Sequence, residues 1–317
     1  MPRPTSSTVI QRPDLGVLAY EYLMDSAGYI GMDILPVFDV PEQSADYPII
    51  PIEALIKDQD TRRTPRGDYN RGDWEFKTGT YKCEEFGWEE PVDDVERRLY
   101  NRFFDAEMVS TEIAVGRILR DYERRVAAVL EAGGGSATVT TEWSDADNAT
   151  PRGDIETARN AMRAGSGLKP NTIAMGWVPF RNVMNTAEIK DALKYTNPVE
   201  LGGEEAQKRI LAQYFGVDSI LVGDSQHDVA KKGQAHSLAD IWDDEYVHLL
   251  RVSDGGMRLR EPVYGRTFLW YEDSPQIVVV ETYREEQRRA DIVRARQHID
   301  EAVIFAAAHY KLGNITA

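Results

Sequence analysis

Between Val92 and Glu131 the chain runs without a proline, carries one glycine (Gly116), and is rich in Glu, Arg, Leu and Ala, all strong helix formers. Apolar residues recur there at helical spacing in two runs. The first is Val92, Val95, Leu99, Phe103 and Ala106; the second is Val115, Ile118, Leu119, Tyr122, Val126, Val129 and Leu130. The stripe changes phase across Met108 to Ile113, which predicts a bend or a turning of the buried face. Pro91 opens the stretch, Asp93, Asp94 and Glu96 suit the positive end of a helix dipole, and Gly133-Gly134-Gly135 closes it. The pattern predicts one helix over 92–131, roughly 60 Å long at 1.5 Å per residue. That is a strut rather than one layer of a small globule.

Residues 49–90 alternate like strands at both ends, through Ile50, Ile52 and Ala54 going out and Trp74, Phe76, Thr78 and Thr80 coming back. The middle, Lys57 to Asp73, is polar and turn-rich. A long two-stranded ribbon with a charged tip is expected, and a lone ribbon is marginal in water, so it needs a partner surface. Arg62, Arg63, Arg66 and Arg71 crowd the tip around one acid, Asp68. Glu84, Glu85, Glu89, Glu90, Asp93, Asp94 and Glu96 follow with no base among them. One molecule's tip, with Trp74 beside it, is therefore expected to meet a neighbour's acidic collar; two solvated charge runs are the alternative.

Residues 1–48 punctuate short apolar patches with Pro and Gly and read as an extended arm, with a short helix near Leu15 to Ala27. Ile30, Ile34, Leu35, Val37 and Phe38 argue against a floppy tail. Beyond the strut come a short strand within Ala137 to Trp143, a helix Ile155 to Ala164 capped by Asp154, a buried strand Asn171 to Trp177 and a helix from Pro179 to Tyr195. Thr196 to Gly203 is a boundary. Then follow a helix Glu204 to Phe215, strands Ser219 to Val222, Tyr246 to Arg251, Thr267 to Tyr271 and Gln276 to Tyr283, and a tail, 284–309, readable as helix or strand. The class is α+β.

The 317 residues suffice for two cores, and no apolar run approaches membrane-spanning length. The first residues lack the apolar stretch of a secretory signal. Cys83 is the one cysteine, which excludes an internal disulfide and a thiolate metal centre and fits a reducing compartment. With 37 bases against 53 acids the net charge is -16, so a large nucleic-acid-gripping face is unexpected. Arg-Gly-Asp occurs three times, at 66–68, 71–73 and 152–154, as ordinary turn chemistry. Asp224, His227, Asp228, His236 and Asp240 are metal-ligand types, but their spacing matches neither His-Glu-x-x-His nor a Ca loop with its terminal Glu, and a polar surface loop with incidental His is the plainer reading. His248 falls in a strand, where a hydrogen-bonded structural role is the default, and His298 and His309 read as isolated. Nucleophile-elbow and phosphate-loop signatures are missing. No cofactor is expected; a metal-dependent hydrolase using Asp224, His227 and His236 is kept as a distant alternative.

From Trp143 onward the order of landmarks resembles the tailed-phage major capsid proteins, in the group typified by the lambda capsid protein. These are Trp143-Ser144-Asp145, Asp154-Ile155, Pro170-Asn171-Thr172, Met175-Gly176, Leu211-Ala212, Phe215-Gly216-Val217, Ile220 to Gly223, Ile241-Trp242, Gly265 to Trp270, Tyr310 and Asn314. Asp243 departs from the pattern, where many relatives carry Gly. The resemblance implies a Hong Kong 97-type fold: an N-terminal arm (1–48), an E-loop (49–90), a peripheral domain (91–195 with its spine helix 92–131, completed by 262–285) and an axial domain (196–261, completed by 286–317). It implies a subunit that assembles as pentamers and hexamers around double-stranded DNA in a bacterial cytoplasm. Portal and scaffolding proteins would assist, with a decoration protein as an optional addition. No scaffold-like heptads precede the arm, so a separate scaffold, or a removed one, is expected. An encapsulin-like compartment is the alternative shell.

Overall fold

The computed structural model describes residues 10–11, 28–63, 65–72, 75–100, 105–194, 203–235, 237–254 and 259–316. The helix expected over Leu15–Ala27, Phe103 of the helical stripe and most of the 196–203 boundary lie outside these residues.

In chain order, β1 (Ile10–Gln11) precedes a one-turn helix α1 (Gly31–Ile34) and β2 (Val37–Val40). The ribbon is β3 (Ser44–Ile49), a short helix α2 (Ile52–Ile56) and β4 (Lys77–Lys82). Next come β5 (Glu84–Asp93), α3 (Asp94–Tyr100) and the strut α4 (Ala106–Ala132). β6 (Gly135–Thr138), α5 (Pro151–Ser166), β7 (Thr172–Gly176), α6 (Trp177–Asn185) and α7 (Ala187–Leu193) follow. After α8 (Glu204–Phe215) and β8 (Ser219–Gly223), a hairpin β9 (Gln226–Asp228) and β10 (Leu238–Asp240) leads to β11 (Val247–Leu250). The chain ends with β12 (Gly265–Trp270), β13 (Val279–Glu285), β14 (Ala290–Val303) and β15 (His309–Gly313).

Two sheets carry the architecture. In one, β14 is the axis: β13 and β12 pair with it antiparallel, and β5 pairs with it over ten residues, Ala290↔Asp93 to Ile299↔Glu84. β2 runs parallel to β12, and β1 extends the sheet beyond β13. The other sheet has the order β6-β15-β11-β7-β8. The strut lies on the first sheet, where Val115, Ile118 and Leu119 share a core with Val92, Val280, Val293 and Ala295. Further along, Tyr122, Val126 and Leu130 join a core that draws on both sheets, with Ala174 and Leu250 from one and Leu269 and Ile299 from the other.

The strut is shorter than its sequence predicts. Residues 84–93 are committed to β14, so Pro91 and Val92 sit in a strand, and α3 is separate. Asp105 then caps a fresh helix, its carboxylate accepting from Glu107 N at 3.0 Å. The 27 residues of α4 span about 40 Å. Gly134, at φ +78, turns the chain off the helix end against the His309 ring, a conformation and a closeness that a side chain would not permit.

Other differences have local causes. The outgoing ribbon strand is 44–49 rather than Ile50 to Ala54, because β3 pairs with β4 from Ser44↔Lys82 to Ile49↔Lys77 and Ile52–Ile56 coils into α2. Pro151 starts α5 earlier than expected, which frees Asp154 from capping; it accepts from Trp143 Nε1 at 2.9 Å instead. The helix expected over 179–195 divides at Thr186, whose extended ψ of 146° separates α6 from α7. The tail is a strand because β14 finds partners on both edges. Nor do the sheets follow the expected domain limits. β7 and β8 pair in parallel across 195/196, and of residues 286–317 only β15 joins the five-stranded sheet.

Candidate assembly surfaces

The ribbon has a fixed root and an open tip. At the root, the buried Phe268 ring stacks on Tyr81 at 4.7 Å between centroids and touches Tyr47 and Phe38 at 5.7 and 5.8 Å. Lys82 N donates to Asp300 Oδ2 at 2.9 Å, and Cys83 N to Gln43 O at 2.8 Å. Trp270 Nε1 donates to Pro41 O at 3.1 Å. Burial pushes the Cys83 thiol up to about 11, so it packs as a small apolar group.

Beyond Ile49 and Lys77 nearly everything is exposed, including Leu55 at 70% and Ile56 at 68%. Arg62, Arg63, Arg66 and Arg71 all face solvent. Arg63 closes the tip on itself, donating to Gly67 O at 2.7 Å and lying 4.7 Å over the Tyr69 ring. Trp74 lies outside the described residues.

The acidic collar is largely answered within its own chain. Glu89 accepts from Arg294 Nε at 2.7 Å, and Glu90 lies 3.1 Å from Arg117. Arg284 grips both Asp94 oxygens at 2.7 Å and holds that carboxyl below its usual range. Asp93 accepts from Val95 N at 2.7 Å. Glu84 lies 3.9 Å from Lys82 of its own ribbon, and Glu85 is exposed. Reading the acids alone missed Arg117, Arg284 and Arg294; only the long pairing of β14 with β5 brings Arg294 beside Glu89. A second exposed apolar set stands on α3 and the start of α4: Val95, Leu99, Met108, Val109 and Ile113.

Among the described residues no three His, Cys, Asp or Glu side chains gather to hold a metal ion. His236 lies outside them. Asp228 caps the hairpin by accepting from Ala230 N and Ser237 N, both at 2.9 Å, and Asp240 accepts from Gln226 Nε2 at 2.7 Å. These carboxylates shape a turn. His248 stands in β11 with a hydrogen-bonded structural role, as expected, and His309 is its partner rather than isolated: their rings meet at 3.1 Å, Nδ1 to Nε2, deep in the core, where burial keeps both neutral. His298 pairs with Asp273 at 2.8 Å.

Glu123 was not singled out in the sequence. It sits on the buried face of the strut, 1% exposed, and accepts from Ile30 N, Gly31 N and Trp242 Nε1, each at 2.8 Å. Burial raises its carboxyl above the ordinary range despite those three donors. A lone acid in an apolar stripe was the available signal.

No protein-family model matches the chain. The major capsid protein of Burkholderia phage BcepMu is 27% identical over 318 residues, covering 96% of each chain. Along nearly its whole length the chain is thus similar to a phage major capsid protein. The fold of this capsid protein agrees: a phage-related protein of Bordetella bronchiseptica superposes over 97% of the chain and 98% of its own, at a TM-score of 0.68 and 20% identity. The capsid of cyanophage P-SCSP1u matches over 88% and 86%, at 0.58 and 9%. Ribbon, strut and two sheets are thus the Hong Kong 97-type fold, and the molecule is a structural subunit rather than an enzyme. The encapsulin-like alternative is the weaker one. Placement nearest to lambda's own capsid protein rests on the sequence landmarks alone.

Proposed function

We propose that this capsid protein closes an icosahedral shell, as pentamers and hexamers, around double-stranded DNA. In this reading residues 1–48 are the arm and the ribbon is the E-loop. The first sheet with its strut is the peripheral domain, and the second sheet is the axial domain. The E-loop of one subunit lies over the spine helix of the next. The observation that carries this is the open ribbon. Ile50, Leu55, Ile56 and Phe76 are exposed on it, and Val95 and Leu99 on α3 with Met108, Val109 and Ile113 at the start of the strut are exposed too. A heterologous contact between copies buries both sets at once.

Arg62, Arg63, Arg66 and Arg71, with Trp74 beside them, then face the neighbour's Glu84, Glu85, Glu89, Glu90, Asp93 and Asp94. Exposed ion pairs contribute about 0–1 kcal/mol each, so these charges set register and encounter rate more than strength. Loops near Gly223 to Ser237 meet around the five- and six-fold axes. The net charge of -16 keeps packaged DNA from adhering to the wall. Assembly takes place in the bacterial cytoplasm with a separate scaffolding protein and a portal, and a decoration protein is an optional addition.

The test is electron microscopy of the chain expressed with its scaffolding partner, beside a variant with Arg62, Arg63, Arg66 and Arg71 all changed to Glu. The native chain should form genome-sized shells. The variant should still fold, at about 0.5 kcal/mol or less for each exposed substitution, yet fail to close shells. Native-like shells from the variant would overturn the tip contact. Small uniform shells loaded with an enzyme would overturn the DNA container in favour of a storage compartment.

A further inference from the structure

The segment Gly28–Leu35 is held from three directions. From the strut, Glu123 Oε1 accepts Ile30 N, Oε2 accepts Gly31 N, and Oε1 also accepts the indole N–H of Trp242, which precedes β11. From the first sheet, Thr267 Oγ1 donates to Leu35 O at 3.0 Å while lying 2.7 Å from Tyr122 Oη. From the end of β8 in the second sheet, Asp224 N donates to Gly28 O at 3.3 Å. Ile30, Ile34 and Leu35 fill the core shared by both sheets.

We infer that Gly28–Leu35 is a keystone between the two sheets and that Glu123 is its latch, a positioning residue that fixes their relative angle. The chemistry is selective. A carboxylate offers acceptors on both oxygens, whereas a glutamine in the same pose would turn an N–H donor toward one of the three N–H groups. The fit is equally tight on the other side, since a Cβ on Gly31 would lie 2.6 Å from Glu123 Oε2. The inference bears on the shell reading because pentamers and hexamers demand different bends from one chain, and a joint with one defined setting limits how far each can depart from it.

Two variants test it: Glu123→Gln, which disarms the latch, and Gly31→Ala, which wedges the segment away and leaves the carboxylate in place. Hydrogen exchange of the full-length protein reports on the Ile30 and Gly31 amides, with β7 amides as the internal standard. Cryo-electron microscopy of shells made with the scaffolding partner reports their diameters. In each variant the two amides should exchange about tenfold faster or more, as the loss of a charge-assisted hydrogen bond requires, with β7 unchanged. Shell diameters should spread beyond those of the native protein. Unchanged exchange at 30 and 31 would overturn the latch, and uniform acceleration that includes β7 would reduce Glu123 to a general stabiliser. Local acceleration with native shell diameters would overturn the keystone role. Should Glu123→Gln fail to fold, Gly31→Ala decides. Failure of the shell reading itself would show separately, as native protein that forms no shells.

Discussion

Phe268 is the residue on which the ribbon's direction depends, and Phe268→Ala is the sharpest way to ask whether the root is a rigid clamp. The ring is fully buried and touches Phe38, Tyr47 and Tyr81. Truncating a buried Phe to Ala costs about 3–5 kcal/mol in lost transfer energy and residual cavity. Of that, the stacked Tyr81 pair contributes about 0.5–1.5 kcal/mol beyond burial. Urea unfolding of the unassembled subunit should therefore show a lower midpoint with an unchanged slope. A double-mutant cycle of Phe268→Leu with Tyr81→Leu should return a coupling of about 1 kcal/mol. Hydrogen exchange should accelerate first in 44–49 and 77–82, which pair with each other as a two-stranded sheet. A loss below about 1 kcal/mol, or a coupling indistinguishable from zero, would refute the clamp.

Two further outcomes follow from single contacts. Asp105→Ala removes the cap of the strut and should lower stability by about 1 kcal/mol in thermal melts, with fraying confined to the first turn; no change would mean the strut's start is set by packing alone. Asp273 is pushed up by burial but pulled further down by His298 and Arg296, and ends below its ordinary value of 3.8. A depressed carboxyl stabilises the fold above its unfolded-state pKa, and that stability is lost as pH falls through its lower folded-state value. Melting temperature should thus decline between about pH 4 and pH 2 less steeply in Asp273→Asn than in the native chain. Parallel curves would reject the assignment.

Much of this fold is legible in periodicity. The second apolar run, Val115 to Leu130, is the buried face of α4, and α8 begins and ends where Gly203 and Gly216 flank the amphipathic stretch. Errors cluster where a distant partner overrules local preference. Val92 and Val95 carry helical spacing, yet β14 claims Val92 for a strand. Residues 284–309 favour helix by composition, but a strand with partners on both edges satisfies its backbone through the sheet. The candidate contact surface was visible in its charges and hidden in their pairing: Arg62 to Arg71 stand open as their spacing suggests, while Glu89, Glu90 and Asp94 are answered by arginines from 27 to 205 residues away along the chain. Glu123 escaped notice because its three donors are two backbone amides and an indole, none of which marks a sequence.

The order in which β14 and β5 leave the ribosome has a consequence for synthesis. Glu89 waits for Arg294, 205 residues downstream, and Lys82 waits for Asp300. At about 5–20 residues per second that delay is roughly 10–40 s. Until the last strands emerge, the hairpin that reaches outward has no anchored base and the long helix has no sheet beneath it. A prematurely terminated chain therefore lacks the means to hold its outreaching parts in position, which keeps unfinished copies from competing with complete ones.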